Sequence, residues 1–298
     1  MDLRQLAYVE AVARHRHFTR AAEELHVAQS ALSHQVRRLE AELGTELFRR
    51  TTRSVEVTEA GAVISSGARR ILADVEDLRG EVDELRGLIR GNISIGALPP
   101  VGDIDVPGVL ARFQAGYPEV EVHVRGGVVE EFIRFLNRDE IDAAFCLRAS
   151  PMPAGLRTER LGSEELVAAL PRGHPLAGKR GVRAGDLAGL SLISPGPGSA
   201  LRDAANQFLG GAARLARFSL ESNDPFLIRG LVSQGFGVAL LPRSFAELPG
   251  PALELRPLRP SARLEVALVW RQARRLSPAV QAFIAFVLEG AGGRRSRA

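Results

Sequence analysis

The sequence predicts an α/β protein that begins with a small all-α domain, and three patterns support this fold class. Residues 1–60 fit short helices followed by a hairpin, and residues 61–90 fit one long helix. From residue 91 onward, strand-like runs such as NISIGAL, DAAFCL and GVALLP alternate with helical segments, which predicts a mostly parallel sheet with right-handed crossovers. The expected domains are therefore 1–60, 61–90 and 91–298, and the third has room for two such sheets.

The composition is that of a globular protein. The chain of 298 residues is 45% hydrophobic and 25% charged, which excludes a largely disordered chain. Cys146 is the single cysteine, so no intramolecular disulfide can form and a reducing compartment is the simpler assumption. The first residues lack the apolar core of a secretory signal, and nowhere do about 18 uncharged apolar residues run together. We therefore expect a cytoplasmic protein without membrane contact.

The net charge invites a nucleic-acid partner but does not locate one. The chain carries +4 with a pI near 10.1. Residues 1–60 contain nine arginines and nine acidic residues, so that segment is neutral by count. Only the placement of its arginines can mark it as a DNA-binding domain.

The first 60 residues follow the pattern of a helix-turn-helix with a wing. Leu3, Leu6, Val9 and Val12 recur at helical spacing, and a second helix is expected from about Phe18. A third contains AQSALSHQVRRLE and is expected to stop at Gly44. The stretch ELFRRTTRSVEVTEAG then alternates around a turn at 51–54, as a hairpin does.

The third helix carries an unusual polar face. In a helix-turn-helix, the second helix of the motif places its first polar side chains in the major groove, where Gln can pair with adenine and Arg with guanine or a phosphate. Leu32, Val36 and Leu39 fall on the opposite face. Periodicity alone favours a solvated amphipathic helix over a DNA-recognition helix. The predicted DNA-binding residues are Thr19, Gln29, Ser30, Ser33, His34, Arg37, Arg38, Arg50 and Arg53.

The long helix carries a heptad pattern. From Ile64 to Ile89 the apolar residues are spaced alternately by four and three, and the positions between them are mostly charged. Such a narrow stripe favours pairing with a second copy, with packing on the same chain as the alternative. Gly91 is expected to end the helix. The predicted dimerisation residues are Ile64, Ile71, Val75, Leu78, Val82 and Leu85.

The segment FTRAAEELHVAQSALSHQVRRLEAELGTELFRRTTRSVEVTEAG closely resembles the DNA-binding region of LysR-type transcriptional regulators. Two positions depart from that pattern, because His17 stands where serine is usual and Ala28 where serine or threonine is frequent. Two helix N-caps, each worth about 1 kcal/mol, are therefore expected to be missing. The matching residues are Ala21, Ala22, Leu25, Gln29, Leu32, Ser33, Leu39, Glu40, Leu43, Gly44, Leu47, Phe48, Arg50, Thr58, Ala60 and Gly61.

The resemblance continues through FQAGYPEVEVHVRGG, IDAAF, GHPLA and LVSQGFGVALLP. It implies two Rossmann-like α/β subdomains of the periplasmic-binding-protein type, the first at about 91–160 and 267–298 and the second at about 161–266. The strands that cross between them are expected near 159–161 and 264–269. A small-molecule effector is expected in the cleft between the subdomains.

Three loops are candidates for holding that effector, namely GALPPVG, SPGPGS and the loop that follows DAAFCL. In open α/β sheets, ligands gather at the carboxyl ends of strands, where helix N-termini offer N–H groups to anions, so the effector could be a carboxylate. Arg148 follows a strand and could pair with it. Ordinary turn chemistry is the alternative for each loop. The predicted effector-binding residues are Leu98, Pro99, Arg148, Ser194, Gly198 and Ser199.

The resemblance implies a regulator that binds a partly palindromic double-stranded DNA operator as a homodimer or homotetramer and alters recruitment of RNA polymerase. No metal is expected, because the histidines at 15, 17, 26 and 34 lack zinc-ligand spacing. No cofactor or catalytic residue is expected either, and the sequence contains no G.S.G elbow, Walker loop or HE..H motif. Cys146 is expected to be a small buried hydrophobe. The alternatives are a solute-binding protein, which would need an export signal, and an enzyme, which would need paired catalytic groups.

Overall fold

The computed structural model describes residues 1–50, 55–97, 101–102, 104–148, 152–197, 199–272 and 276–295. The chain forms two compact units. The first comprises Met1–Gly91 with Leu276–Pro278, and the second comprises the remainder. Within the described part of the chain, no helix is long and apolar enough to cross a membrane.

The first unit is a helical domain with a two-stranded wing. Leu32, Val36 and Leu39 of its third helix are fully buried in the apolar core, which also includes Val9 and Val12 of the first helix. Its elements are α1 Leu3–His15, α2 Phe18–Glu24, α3 Gln29–Leu43, β1 Phe48–Arg50, β2 Val55–Val57 and α4 Glu59–Glu84. Strands β1 and β2 pair antiparallel, as the sequence predicts.

The N-termini of α2 and α3 correct one expectation and confirm another. His17 caps α2 after all, because its Nδ1 accepts from the backbone N–H of Thr19 at 3.2 Å and of Arg20 at 3.5 Å. Ala28 gives α3 no side-chain cap. At the other end of α3, Gly44 adopts the left-handed conformation at φ 68° and ends the helix as predicted.

Several residues around the wing that match the LysR-type sequence pattern have a structural role. Glu40 Oε1 accepts from the backbone N–H of Leu47 at 2.9 Å and of Phe48 at 3.2 Å. Thr58 Oγ1 donates to the Glu46 carbonyl at 2.7 Å and accepts from the Gly61 N–H at 3.0 Å. A Cβ at Gly61 would lie 2.1 Å from the Leu47 carbonyl oxygen, so only glycine fits there. These contacts fix the start of α4 against the chain entering the wing.

The long helix is shorter than predicted. Helix α4 ends at Glu84, and the expectation that it continues to Gly91 is wrong. The Asp83 carbonyl accepts from the N–H groups of Arg86 and Leu88, the Asp83 carboxylate pairs with Arg90, and Gly87 has φ 75°. Leu85 and Ile89 therefore lie beyond the helix.

The second unit is built on a mixed sheet. Its strands are β3 Gly91–Gly96, β4 Val120–Arg125, β5 Ala143–Arg148, β6 Leu156–Leu170, β7 Ser191–Ser194, β8 Arg217–Glu221, β9 Val238–Pro242, β10 Glu254–Pro257 and β11 Arg263–Arg271. Its helices are α5 Val106–Gly116, α6 Val129–Asn137, α7 Ala200–Leu209, α8 Pro225–Ser233, α9 Arg243–Ala246 and α10 Pro278–Arg295. Short 3-10 segments are Pro175–Gly178, Ala184–Leu187 and Gly210–Arg214.

The centre of this sheet is antiparallel, which corrects the expectation of a mostly parallel arrangement. The strand order is β4-β3-β5-β11-β6-β9-β7-β8, and β10 pairs with β6. The outer pairs β3–β5, β7–β8 and β7–β9 are parallel, whereas β11 runs antiparallel to both β5 and β6. The predicted crossing segments 159–161 and 264–269 lie in β6 and β11, whose register shifts between Val266 and Ala267.

Each half of the sheet has its own core. Strand β6 alternates, so that Leu166, Ala168 and Leu170 enter one cluster while Val167 and Ala169 enter another on the opposite face. At the other end of the sheet, Phe132 and Leu136 of α6 pack with Cys146 of β5. The starts of α6 and α7 line a cavity together with core residues such as Phe132 and Leu264.

Candidate functional site

Helix α3 presents a continuous polar face to solvent. Five of the predicted residues are exposed on it, namely Gln29, Ser30, His34, Arg37 and Arg38. The buried side of the same helix fixes this orientation, because Leu32, Val36 and Leu39 are fully buried. The face therefore combines hydrogen-bonding groups at the helix start with two arginines about two turns later, the chemistry that base edges and phosphates require.

Ser33 lies elsewhere than expected. Its side chain is only 2% exposed, and Arg37 Nη2 donates to its hydroxyl oxygen at 3.2 Å. The structure therefore removes Ser33 from the exposed face. Its hydroxyl orients Arg37, one turn further along the helix.

The remaining predicted DNA-binding residues lie outside α3. Thr19 is exposed in the first turn of α2. Arg50 is the last residue of β1, and Arg53 lies outside the described residues. The structure brings Thr19 and the start of α3 into one helical unit with a shared core.

Ion pairs join the helices that support α3. Arg14 of α1 donates to Glu24 of α2 at 2.6 Å, and the Arg14 guanidinium lowers the pKa of Glu24 to about 2. His15 Nε2 lies 2.6 Å from the other oxygen of the same carboxylate. Glu10 contacts Arg14 at 3.2 Å and Arg69 of α4 at 3.7 Å.

The expectation that the chain binds no metal stays a prediction. No cluster of metal-ligating side chains occurs within the described ranges.

The apolar stripe of α4 divides into two parts. Ile64 packs on the core of the first unit and Ala68 is buried, whereas Val75 is half-buried. Other apolar side chains of the stripe face solvent in this single chain. These exposed side chains are Ile71, Leu78, Val82 and, just after the helix, Leu85 at 89% exposure.

A cavity of about 80 Å³ lies in the second unit, beside the starts of α6 and α7. Three polar side chains line it, Glu130, Ser199 and Asn223. The other described lining residues contribute carbon or backbone, and they are Val101, Gly127, Val128, Val129, Phe132, Phe145, Leu147, Pro195, Ala200, Leu201, Pro242, Phe245 and Leu264.

The structure brings one of the predicted effector-binding residues to this cavity. Ser199 is buried, and its Oγ caps α7 by accepting from the Arg202 N–H at 3.2 Å. Ser194 is buried at the end of β7 and is not among the described lining residues. Leu98, Pro99 and Gly198 lie outside the described residues.

Arg148 does not face the cavity as expected. Its Nη2 lies 2.9 Å from Glu265 Oε1, and the two side chains form an ion pair across β5 and β11. It is absent from the described cavity lining. The expectation that Arg148 offers its charge to an effector carboxylate therefore loses its geometric basis.

Sequence reasoning missed Glu130, which is the one charged side chain among the described lining residues. Burial raises the pKa of its carboxyl, and a hydrogen bond from its own backbone N–H acts against this. Asp203 and Glu131 raise the pKa further, and Arg134 lowers it. Nearby, burial raises the pKa of the Cys146 thiol to about 12, so that the thiol stays protonated near neutral pH.

Known proteins resemble both units. Residues 3–62 match the family described as bacterial regulatory helix-turn-helix protein, lysR family, and residues 86–292 match the LysR substrate binding domain. The RuBisCO operon transcriptional regulator of Allochromatium vinosum is 31% identical over 294 residues, which cover 98% of this chain and 97% of that protein. The DNA-binding transcriptional dual regulator OxyR of Escherichia coli is 31% identical and aligns over 91% of this chain and 90% of its own length.

Solved structures agree with this similarity. A full-length OxyR point variant from Pseudomonas aeruginosa superposes with a TM-score of 0.73 at 26% identity, covering 98% of this chain and 94% of that one. Full-length CbnR complexed with its target DNA gives a TM-score of 0.70 at 24% identity, with coverage of 97% and 99%, and supports the fold.

Proposed function

Because this chain belongs to the LysR family of DNA-binding transcriptional regulators with an effector-binding domain, we propose which of its residues carry out each task. The observation that carries the proposal is the exposed polar face of α3, held outward by a fully buried apolar face. The family membership supports a regulator over a solute-binding protein. The proposed domain boundaries remain 1–60, 61–90 and 91–298.

Helix α3 is the DNA-recognition helix of this proposal. Gln29 and Ser30 stand at its first turn, where they can form hydrogen bonds with base edges in the major groove. His34 and Arg38 lie further along the exposed face and suit phosphate contacts. Arg37, held by Ser33, suits a guanine or a phosphate, and Thr19, Arg50 and Arg53 complete the proposed set.

The exposed part of α4 is the proposed dimerisation surface. Ile71, Leu78 and Val82 recur at heptad spacing and are exposed in the single chain. A second copy would remove them from water, and a dimer or tetramer would present paired α3 helices to a palindromic operator. Leu85 lies beyond the helix, and Ile64 packs largely within its own chain, so both contribute less than predicted.

The cavity of the second unit is the proposed effector site. Its lining comes from both halves of the sheet, since Phe145 lies on β5 and Pro242 ends β9. An effector that binds one arrangement of the halves more tightly than another would shift the population toward it. That shift would change how the dimer holds DNA and recruits RNA polymerase, in the cytoplasm where the DNA is.

The peroxide response named for some relatives is not part of this proposal. Several curated relatives are hydrogen peroxide-inducible genes activators. In this chain the single cysteine is buried, and its thiol is protonated near neutral pH because burial raises its pKa to about 12. We therefore propose a reversibly bound small molecule as the signal.

The proposed function is tested by selecting DNA from a pool of genomic fragments with the full-length chain and footprinting the enriched fragments. We expect protection of two similar half-sites separated by one helical turn, about 10 base pairs, or a multiple of it. Equal retention of all fragments, without a protected sequence, would contradict the proposal.

A further inference from the structure

The charge of the cleft beside the starts of α6 and α7 indicates the chemistry of its ligand. This inference rests on the proposed function, in which the cleft holds the effector. Its described lining is apolar apart from Glu130, Ser199 and Asn223. The Ser199 hydroxyl oxygen already accepts from the Arg202 N–H. Glu130 is thus the strongest polar group that the described lining offers to a bound molecule.

The two helix starts at the cleft already have anionic or oxygen partners from the chain itself. Glu130 and Glu131 lie in the first turn of α6, and Glu131 Oε2 accepts from the Val128 N–H at 3.2 Å. Asp203 lies in the first turn of α7, whose cap is Ser199. Helix N-termini attract anions, but here the chain supplies them, so a carboxylate ligand gains little from these positions.

The nearby cations are engaged with other groups. Arg148 pairs with Glu265 at 2.9 Å, and Arg134 lies 3.5 Å from Glu131 on an exposed surface. Arg202 donates to Glu221 and to the Pro195 carbonyl, and its guanidinium stacks 3.4 Å from the Phe218 ring centre. None of these three arginines is among the described lining residues, and the sequence has no lysine, arginine or histidine at 98–100, 103 or 198.

A ligand that donates to the Glu130 carboxylate would compensate for the hydration that this group loses in the cleft. Burial is the first cause of its raised pKa, a hydrogen bond from its own backbone N–H offsets part of that cost, and the cation that acts on it, Arg134, pairs with Glu131. A desolvated carboxylate is costly unless a cation or hydrogen-bond donor compensates it. An anionic ligand would add a second negative charge beside Glu130, Glu131 and Asp203.

We propose that the effector has an apolar body and a nitrogen cation, such as an amine, amidine or guanidine, and that Glu130 selects the cation. The apolar body lies against Phe132, Phe245 and Leu264, and the cation lies at the Glu130 carboxylate. This assignment replaces the expected carboxylate effector with one of opposite charge.

The test uses three probes that share one ring, namely benzylamine, benzyl alcohol and benzoate. Calorimetric titration of the full-length chain at about pH 8, where carboxylates are ionised, gives their affinities for the wild type, Glu130→Gln and Glu119→Gln. Glu119 is an exposed carboxylate outside the described cavity lining, so its variant controls for the loss of one charge. We expect benzylamine to bind about tenfold more tightly than benzyl alcohol to the wild type and the control, with benzoate weakest. Glu130→Gln removes the preference.

Several results would overturn the cation assignment. These are benzoate binding as tightly as benzylamine, equal or absent binding of benzylamine and benzyl alcohol, and a preference for the amine that persists in Glu130→Gln. Because the preference compares probes within each variant, a general loss of stability does not imitate it. The wild-type footprint separates the two proposals, since a protected operator with no amine preference rejects only the effector chemistry. Absence of any protected sequence rejects the regulatory role instead.

Discussion

The two sites of this chain differ in charge and in how the fold supplies their residues. The proposed DNA contacts lie mainly on α3, a single helix that exposes His34, Arg37 and Arg38. The cleft draws its described lining from segments between Val101 and Leu264, and the charged group in that described lining is the Glu130 carboxylate. A polyanion therefore suits the first site and is disfavoured at the second. The difference teaches that one chain can bind DNA and a small ligand without either competing for the other's site.

The largest expected effect concerns α4. In the proposed dimer, α4 brings two copies of α3 together, so that each copy can contact one half-site of the operator. Leu78 is 60% exposed in the single chain and lies on the proposed dimer surface. We expect Leu78→Glu to weaken dimerisation by roughly 3 kcal/mol or more, since two leucines lose burial and two charges enter the interface. Arg79→Glu, one position off the stripe, is the control. Sedimentation of both variants checks this, and an unchanged mass for Leu78→Glu would reject the surface.

The second prediction concerns the stability of the first unit towards unfolding. At Gly61 any Cβ meets the Leu47 carbonyl oxygen, whereas at Gly67 in the same helix nothing lies within 4 Å. Gly61→Ala should therefore destabilise the first unit by about 2–3 kcal/mol. Gly67→Ala should stabilise it by about 0.5–1 kcal/mol, because alanine loses less backbone entropy in a helix. Denaturant unfolding measures both, and equal effects of the two substitutions would show that the close approach at Gly61 is unimportant.

The third prediction sharpens the role of a buried polar group in α3. Ser33→Ala removes the hydroxyl that accepts from Arg37, so operator affinity should fall by about 0.5–1.5 kcal/mol. In an Arg37→Ala background the same change should have little further effect, because the partner is gone. Gel-shift titration of the four proteins gives the coupling. Fully additive losses would mean that Ser33 acts independently of Arg37.

The smallest expected effect is a pH dependence in the helices that support α3. Arg14 holds the pKa of Glu24 at about 2, below its ordinary value of 4.5. The pair therefore adds stability above pH 4.5, and that contribution is lost as the pH falls toward 2. Because both side chains of the pair are accessible to solvent, which screens their charges, Glu24→Gln should cost less than about 1 kcal/mol near neutral pH. Urea unfolding across this range should show the difference from wild type shrinking as the pH falls, and a constant difference would exclude the ion pair as its cause.

The first unit was predictable because its signals are local. The buried face of α3, its end at Gly44 and the hairpin all follow from residues close in the chain. The cap at His17 was missed because a histidine side chain rarely caps a helix, and the end of α4 was missed because the heptad pattern continues past Glu84. In those places hydrogen bonds at single residues decided the structure, and periodicity does not show them.

The second unit was predictable in outline only. The first half of β6 has the polar sequence LRTERLGS, so its residue pattern gives no strand signal, and the crossing strand near 159–161 was expected only from the family resemblance. Glu130 looks like an ordinary solvated acid at a helix start. The usable signal was its position, since α6 follows β4 and its first turn therefore lies at the carboxyl end of a strand. It shares the cavity lining with residues far away in the chain, such as Phe245 and Leu264, which a single sequence does not bring together.

The most direct test of the account is whether the first turn of α3 contacts operator bases. Footprinting of the selected operator compares the wild type with Gln29→Ala and with Ala41→Gln, an exposed site near the other end of α3. We expect Gln29→Ala to lose about 1–3 kcal/mol of preference for the operator over unrelated DNA, while Ala41→Gln behaves as wild type. A Gln29→Ala footprint with the same strength and pattern as the wild type would contradict α3 as the helix that recognises DNA sequence.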